Sequence, residues 1–451
     1  MNDQRGIELR RLHRSRAPRN PASGVTVPAA AGVAAAGGVW SRRQMRFAAV
    51  VLGCALIPVL ASADAGLRSS VSSASSALPQ APVIGGADAK PGKWPDVAAL
   101  LFATAKGDAA DCTGTLVAPT IVLTAAHCAD PESPTKVLIG TSTLANPGEG
   151  ETIAVERVVV FPDSSTTEDV ALLVLARPST RPPRAIATGW ARTDIVNGAA
   201  VALVGFGTID QDGEIFVDAL QEAHSTITDA DCSRSAGCRA GAAPAGELGA
   251  GGAGIDTCPG DSGGPLYLVT DYGTFLAGVT SRGYDDATVV CSGGGIYARA
   301  DKIADWIDAA AGVQVVRGPA PTVEPIVAVH GTGGETRIRV NDPRSSTHAF
   351  KIVTPPAQGA ARVRGNGSVR VCIAPEAAAG DDELTVEIID TQRPGRSLAI
   401  AIPIAIEDGV PDASCDLDAG GCCDSSGRAG GSIPLALGVV ALVLRRRRRA
   451  R

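Results

Sequence analysis

The sequence predicts an all-β protein, on three observations. Short Val/Ile/Leu-rich runs recur along the chain. Turn signals separate them, supplied by 53 Gly and 30 Pro among 451 residues. No βαβ alternation surrounds the chain's Gly-Asp-Ser-Gly-Gly stretch at 260–264. The length calls for two domains or more, and 45% hydrophobic residues is ample for real cores, which excludes wholesale disorder.

Charge separates the ends from the body. Residues 1–82 and 425–451 hold 17 of the 41 Lys+Arg but only 3 of the 47 Asp+Glu. The span between them is therefore strongly acidic, which argues against a nucleic-acid partner, since such a protein needs a basic face for phosphates. Both basic ends instead flank apolar runs. Arg42, Arg43 and Arg46, the apolar run 47–60 and Ala61-Ser62-Ala63 form a secretory signal peptide, with Met45 read as the true start. Its core is 45–63 within a 1–63 leader, and the serine-rich 64–82 reads as a pro-segment. Export makes disulfides permissible, and signal peptidase is the first processing partner expected.

Between 83 and 312 lie three stretches that carry chemistry. His127 follows an apolar run in Thr124-Ala125-Ala126-His127-Cys128. Asp169 opens another in Glu168-Asp169-Val170-Ala171-Leu172-Leu173. Ser262 stands in Gly260-Asp261-Ser262-Gly263-Gly264-Pro265, where glycines permit a tight turn that exposes the hydroxyl. A serine hydroxyl is a poor nucleophile until a histidine takes its proton, and that histidine needs an acid to fix its tautomer. No paired CxxC or clustered His/Cys spacing suggests zinc, so neither cofactor nor metal is expected. Cys112/Cys128, Cys232/Cys238 and Cys258/Cys291 are natural pairs, although sequence alone leaves their connectivity open. Cys372 is left over and reads as a buried thiol on a strand.

These motifs, in the order His, Asp, Ser, resemble the trypsin/chymotrypsin family of serine endopeptidases. Val83-Ile84-Gly85-Gly86 is similar to that family's mature N-terminus, Gly205-Phe206-Gly207 to its usual Gly-Trp-Gly, and the amphipathic 300–311 to its C-terminal helix. The resemblance implies two six-stranded antiparallel β-barrels with the site between them. It implies Ser262 as nucleophile, His127 as general acid/base and Asp169 as its partner. The backbone N–H groups of Gly260 and Ser262 become the oxyanion hole. Asp261 becomes the partner of a freed Val83 amine, and Ser281 and Gly283 the strand that pairs with substrate. Asp256, six residues before Ser262, falls at the floor of the primary pocket with Gly283 and Gly295 on its walls, which implies cleavage after Lys or Arg.

The chain departs from that pattern in several places. Pro82 precedes Val83, so activation there is not tryptic. Arg282 replaces an aromatic residue of the second subsite. Cys232 and Cys238 enclose a short loop, residues 239–255 form a long Gly/Ala-rich one, and Thr141 stands where calcium-binding members carry a Glu, implying no structural calcium.

Residues 313–408 carry apolar runs at 326–329, 336–340, 350–353, 369–373, 384–389 and 398–406, which predict a small antiparallel β-sandwich. Thr354-Pro355-Pro356-Ala357-Gln358-Gly359 and Gly365-Asn366-Gly367-Ser368-Val369 resemble bacterial immunoglobulin-like or cadherin-like surface repeats, which implies a spacer or accessory role. His330 and His348 read as strand-end residues. At 409–451, a Cys/Gly/Ser linker with Cys415, Cys422 and Cys423 precedes the apolar run 433–444 and Arg445–Arg449. That order resembles the C-terminal sorting signals cut by intramembrane sortases of the rhombosortase and myxosortase type; a simple single-span tail anchor is the alternative. Two rival functions are weaker. An α/β-hydrolase orders its triad Ser, acid, His, and a silent, peptidase-like adhesion protein normally loses one of the three residues that stand here.

Overall fold

The computed structural model describes residues 82–162, 169–239, 246–330, 332–409 and 415–418. The leader, most of the pro-segment and most of the 409–451 segment lie outside these residues. Among the described residues no helix is long and apolar enough to cross a membrane.

The first six strands are Val97–Thr104 (β1), Gly107–Ala118 (β2), Ile121–Thr124 (β3), Lys136–Ile139 (β4), Glu151–Val160 (β5) and Ala171–Leu175 (β6). They pair antiparallel in the order β1-β2-β3-β6-β5-β4 and close into a barrel. Alternation explains why: Leu100, Leu116, Val122, Ile139, Ile153 and Leu173 point inward to one core, as the two-residue period of a strand requires. The second barrel contains Ala200–Gly205 (β7), Gln221–Asp229 (β8), Glu247–Ala250 (β9), Pro265–Thr270 (β10), Gly273–Gly283 (β11) and Gly295–Arg299 (β12). Its order, β7-β8-β9-β12-β11-β10, closes through the β7–β8 and β10–β7 pairings. Helix Ala300–Ala311 (α1) follows, its Ile303, Ala304 and Ile307 buried and Gly312 in the left-handed conformation that stops it. Strand β9 lies inside what the sequence presents as one long Gly/Ala loop; its Leu248 supplies a core residue too short a run to signal a strand.

A third core, built from faces of both barrels, joins them. At its centre the fully buried Tyr267 stacks on Trp94 at 4.7 Å between ring centroids. Arg184 Nε donates to Asp96 Oδ2 at 3.0 Å across the same junction. The two barrels are thus locked together.

Beyond α1 the chain builds a β-sandwich. Ile326–Val329 (β13), Gly334–Arg337 (β14), His348–Thr354 (β15), Gly359–Val363 (β16), Ser368–Ile373 (β17), Gly380–Asp390 (β18) and Ser397–Glu407 (β19) form sheets β13-β19-β18-β15 and β14-β17-β16. The sandwich is not wholly antiparallel, because β13 runs parallel to β19. Cys372 is not a lone thiol: it is disulfide-bonded to Cys415. The segment 415–418 folds back onto this sheet, where Arg370 Nε donates to the Asp416 carbonyl at 2.7 Å. A cysteine read as linker is in fact the domain's last anchor.

The sandwich also grips the barrels. Trp190, fully buried, belongs to the sandwich core although it precedes β7, and its Nε1 donates to the Val340 carbonyl at 3.0 Å. Arg396 lies 4.7 Å over its ring. Asp194 accepts from Tyr272 Oη at 2.6 Å and from Arg344 Nη1 at 3.0 Å. Gly189 is required where the linker passes, since a Cβ there would meet the Pro319 carbonyl at 2.3 Å.

Candidate active site

His127 sits in the short 3₁₀ turn that follows β3, Asp169 just before β6, and Ser262 in the turn before β10. Pairing of β3 with β6 brings the first two together. The Asp169 carboxylate accepts twice from His127, at Oδ1 from the backbone N–H (3.0 Å) and at Oδ2 from Nδ1 (2.8 Å). Ser281 Oγ donates to the same Oδ2 at 2.7 Å. The hydrogen bond with Asp169 raises the His127 imidazole above its ordinary value, against the lowering effect of burial. Burial pushes Asp169 up, but the bonds from His127 and Ser281 prevail and hold it below the usual carboxylate range. Nδ1 is occupied, which leaves Nε2 for proton transfer.

His127 and Ser262 line one cleft of about 630 Å³, with Gly260, Pro259 and the Cys112–Cys128 disulfide on its wall. Gly260 is obligatory in this turn. Its φ is 96°, and a Cβ would lie 2.8 Å from Gly207 Cα. Thr113 braces the turn through Oγ1 to the Gly260 carbonyl (2.9 Å) and N–H to the Ser262 carbonyl (2.9 Å). Among the described residues no acceptor engages the backbone N–H of Gly260 or of Ser262. Sequence reading missed Thr113, whose only signal is its place beside Cys112.

Two further carboxylates are buried behind the serine. Asp256, 2% exposed, accepts from Thr257 N–H (2.8 Å) and Gly294 N–H (2.9 Å). Burial lifts it to about 6 despite these bonds. Gly283 and Gly295 face each other across β11 and β12, and a Cβ on Gly295 would lie 3.4 Å from Asp256 Oδ1. Asp261 is fully buried and accepts from Gly207 N–H and Cys258 N–H, each at 2.8 Å. Burial first, then the nearby Asp256 charge, lift it to about 7. Among the described residues no cation pairs with either acid.

Val83 is 1% exposed. Its φ of 30° is costly for a β-branched residue. Cys232–Cys238 and Cys258–Cys291 are also disulfide-bonded. Two groups of potential metal donors occur among the described residues, Cys112/His127/Cys128 and Cys232/Cys238/Glu247. In both, the cysteines are joined to each other, so their sulfurs are not thiolate ligands.

The trypsin family model matches residues 83–307. Cat chymotrypsin-like elastase family member 1 is 31% identical over 209 residues, spanning 44% of this chain and 78% of that protein. Human serine protease 56 is 34% identical over 243 residues, spanning 50% of this chain and 38% of that one. Among solved structures, the secreted serine protease VesC of Vibrio cholerae is similar at a TM-score of 0.41 and 20% identity, covering 71% of each chain. Vibrio cholerae VesB protease is similar at 0.40 and 22%, covering 72% of this chain and 99% of its own. The chain belongs to the trypsin family, and it is a serine endopeptidase.

Proposed function

We propose that this endopeptidase is exported and sorted to the cell surface, and that it hydrolyses peptide bonds after Lys or Arg through an acyl-enzyme. Protein and peptide substrates are its partners. One observation carries the chemistry: His127 is locked on Asp169 in the cleft that also holds Ser262. His127 takes the Ser262 proton as the hydroxyl attacks the scissile carbonyl, and returns it to the leaving amine. The unengaged N–H groups of Gly260 and Ser262 serve the oxyanion, a contribution of about 3–4 kcal/mol for each such donor. Asp169 remains ionised and stabilises the imidazolium.

Basic specificity rests on Asp256, a buried carboxylate that has no counter-ion among the described residues and lies by the opposed Gly283 and Gly295. A substrate guanidinium or ammonium supplies the missing charge. Asp261 is read in the same way as the acceptor for the Val83 amine once the bond after Pro82 is cut, by another peptidase. Signal peptidase processing at 61–63 and an intramembrane sortase acting on the C-terminal segment complete the route to the surface. The β-sandwich is the accessory or spacer module.

The test is amide hydrolysis by the chain matured to begin at Val83, with the sandwich retained. Peptides ending in Arg, Lys, Phe, Leu and Ala are the substrates. Cleavage after Arg and Lys is expected, falling by about 10⁶-fold in Ser262→Ala. Asp256→Ser is expected to reduce Arg and Lys cleavage by about 10²–10³-fold while sparing the others. Equal inertness of wild type and Ser262→Ala on every peptide would contradict the triad and favour a silent surface protein.

A further inference from the structure

Arg282 follows Ser281 near the end of β11. Its guanidinium does not reach freely into the cleft. Nη1 donates to Glu247 Oε1 at 2.8 Å and to Ser281 Oγ at 3.2 Å. Nη2 donates to Glu247 Oε2 at 2.9 Å and to the Gly237 carbonyl at 2.7 Å. Glu247, the first residue of β9, is 1% exposed and also accepts the Arg239 N–H at 2.9 Å. A buried carboxylate with a bidentate partner fixes that partner's orientation, because leaving either charge alone is costly.

The consequence falls on Ser281. A guanidinium has only donors. Ser281 Oγ therefore accepts from Arg282, and its single proton is directed to Asp169 Oδ2 at 2.7 Å. The chain Glu247–Arg282–Ser281–Asp169–His127 is continuous, with a cation three links from the imidazole. We infer that Arg282 is a positioning residue of the hydrolytic reaction: it orients the Ser281 hydroxyl onto Asp169 and, with Glu247, sets the proton affinity of His127. This inference rests on the triad reading of His127, Asp169 and Ser262.

Among the described residues, few other charged groups face this chain. Asp285 acts on the Arg282 charge from the segment after β11. Asp111 and Glu132 line the cleft beside His127. Each is unchanged in the variants below, so each adds the same field to every profile.

The experiment follows the rate of Ser262 labelling by a fluorophosphonate, against pH, in the full chain matured to begin at Val83. The midpoint of the acid limb reports His127. Arg282→Gln removes a positive charge and leaves Glu247, so imidazolium is favoured and the midpoint rises by about half a pH unit. Glu247→Gln leaves Arg282 uncompensated and lowers the midpoint by a similar amount. Arg282→Lys keeps the charge and leaves it unmoved. Melting curves verify folding. Should Glu247→Gln not fold, the contrast between Arg282→Gln and Arg282→Lys carries the test. Midpoints that stay fixed, or move together in one direction, overturn the inference, since a merely structural role lowers rates evenly at all pH. A wild type that takes no label at any pH brings down the triad reading and this inference with it; a labelled wild type with unmoved midpoints overturns this inference alone.

Discussion

Asp169 is part-buried and Asp261 fully buried, and their proton affinities diverge. Asp169 is held below the usual carboxylate range by the His127 ring, the His127 N–H and the Ser281 hydroxyl, which outweigh its burial. Asp261 has only two backbone N–H groups against full burial and a neighbouring acid, and it rises to about 7. Asp169 therefore already has its partners, while among the described residues no cation faces Asp261. Burial is the same physical influence in both regions, and the difference lies in whether a partner is already in place.

The largest expected effect breaks the complete side. Asp169→Asn keeps the shape but favours the wrong imidazole tautomer, and kcat is expected to fall about 10⁴-fold with KM little changed. Steady-state kinetics on an Arg amide checks this. Because the His127 proton affinity is raised, wild-type activity should appear only as pH rises through a midpoint above the ordinary histidine value.

The incomplete side is sharpened by Asp261→Asn in the uncut chain. An acid whose folded affinity is raised binds a proton that the unfolded chain has released. The stability of the uncut wild type should therefore fall as pH climbs from about 4 to about 7. The asparagine variant should lack that slope and exceed wild type at pH 8 by on the order of 2–4 kcal/mol, the two converging near pH 4. Urea unfolding at several pH values measures it. Matching slopes would mean that Asp261 does not carry the raised proton affinity.

The smallest effect belongs to a region remote from both acids. Loss of the Cys372–Cys415 bond through Cys415→Ser should cost the sandwich about 1–3 kcal/mol and leave hydrolysis by the barrels unaltered. A change in kcat would mean that the sandwich reaches the cleft through the Trp190 junction.

Much of the site was legible in the sequence because its chemistry is local. His127 beside Cys128, Asp169 at the mouth of an apolar strand, and Ser262 among glycines each carry their signature within six residues. The two barrels followed from the family that the motifs resemble, with which the short apolar runs and turns are consistent. What escaped depends on pairings distant in sequence. Cys415 lies 43 residues from Cys372 in a stretch that reads as linker. Trp190 has no local mark of belonging to another domain's core. Strand β13 runs parallel to β19 because the chain enters the sandwich beside its own last strand, an arrangement that periodicity does not reveal. Glu247 stands alone among glycines and alanines, and its meaning emerges only where Arg282 meets it.

The most direct measurement compares two forms of the same chain, one ending its pro-segment intact at Pro82 and one beginning at Val83. Hydrolysis of an Arg amide by both, normalised to the amount of folded protein, reads the central contrast between a partnered Asp169 and an Asp261 that no cation faces among the described residues. The account predicts strong activation on freeing the Val83 amine, of at least about 10²-fold, and no activation in Asp261→Asn. Equal hydrolysis by the two wild-type forms would contradict it.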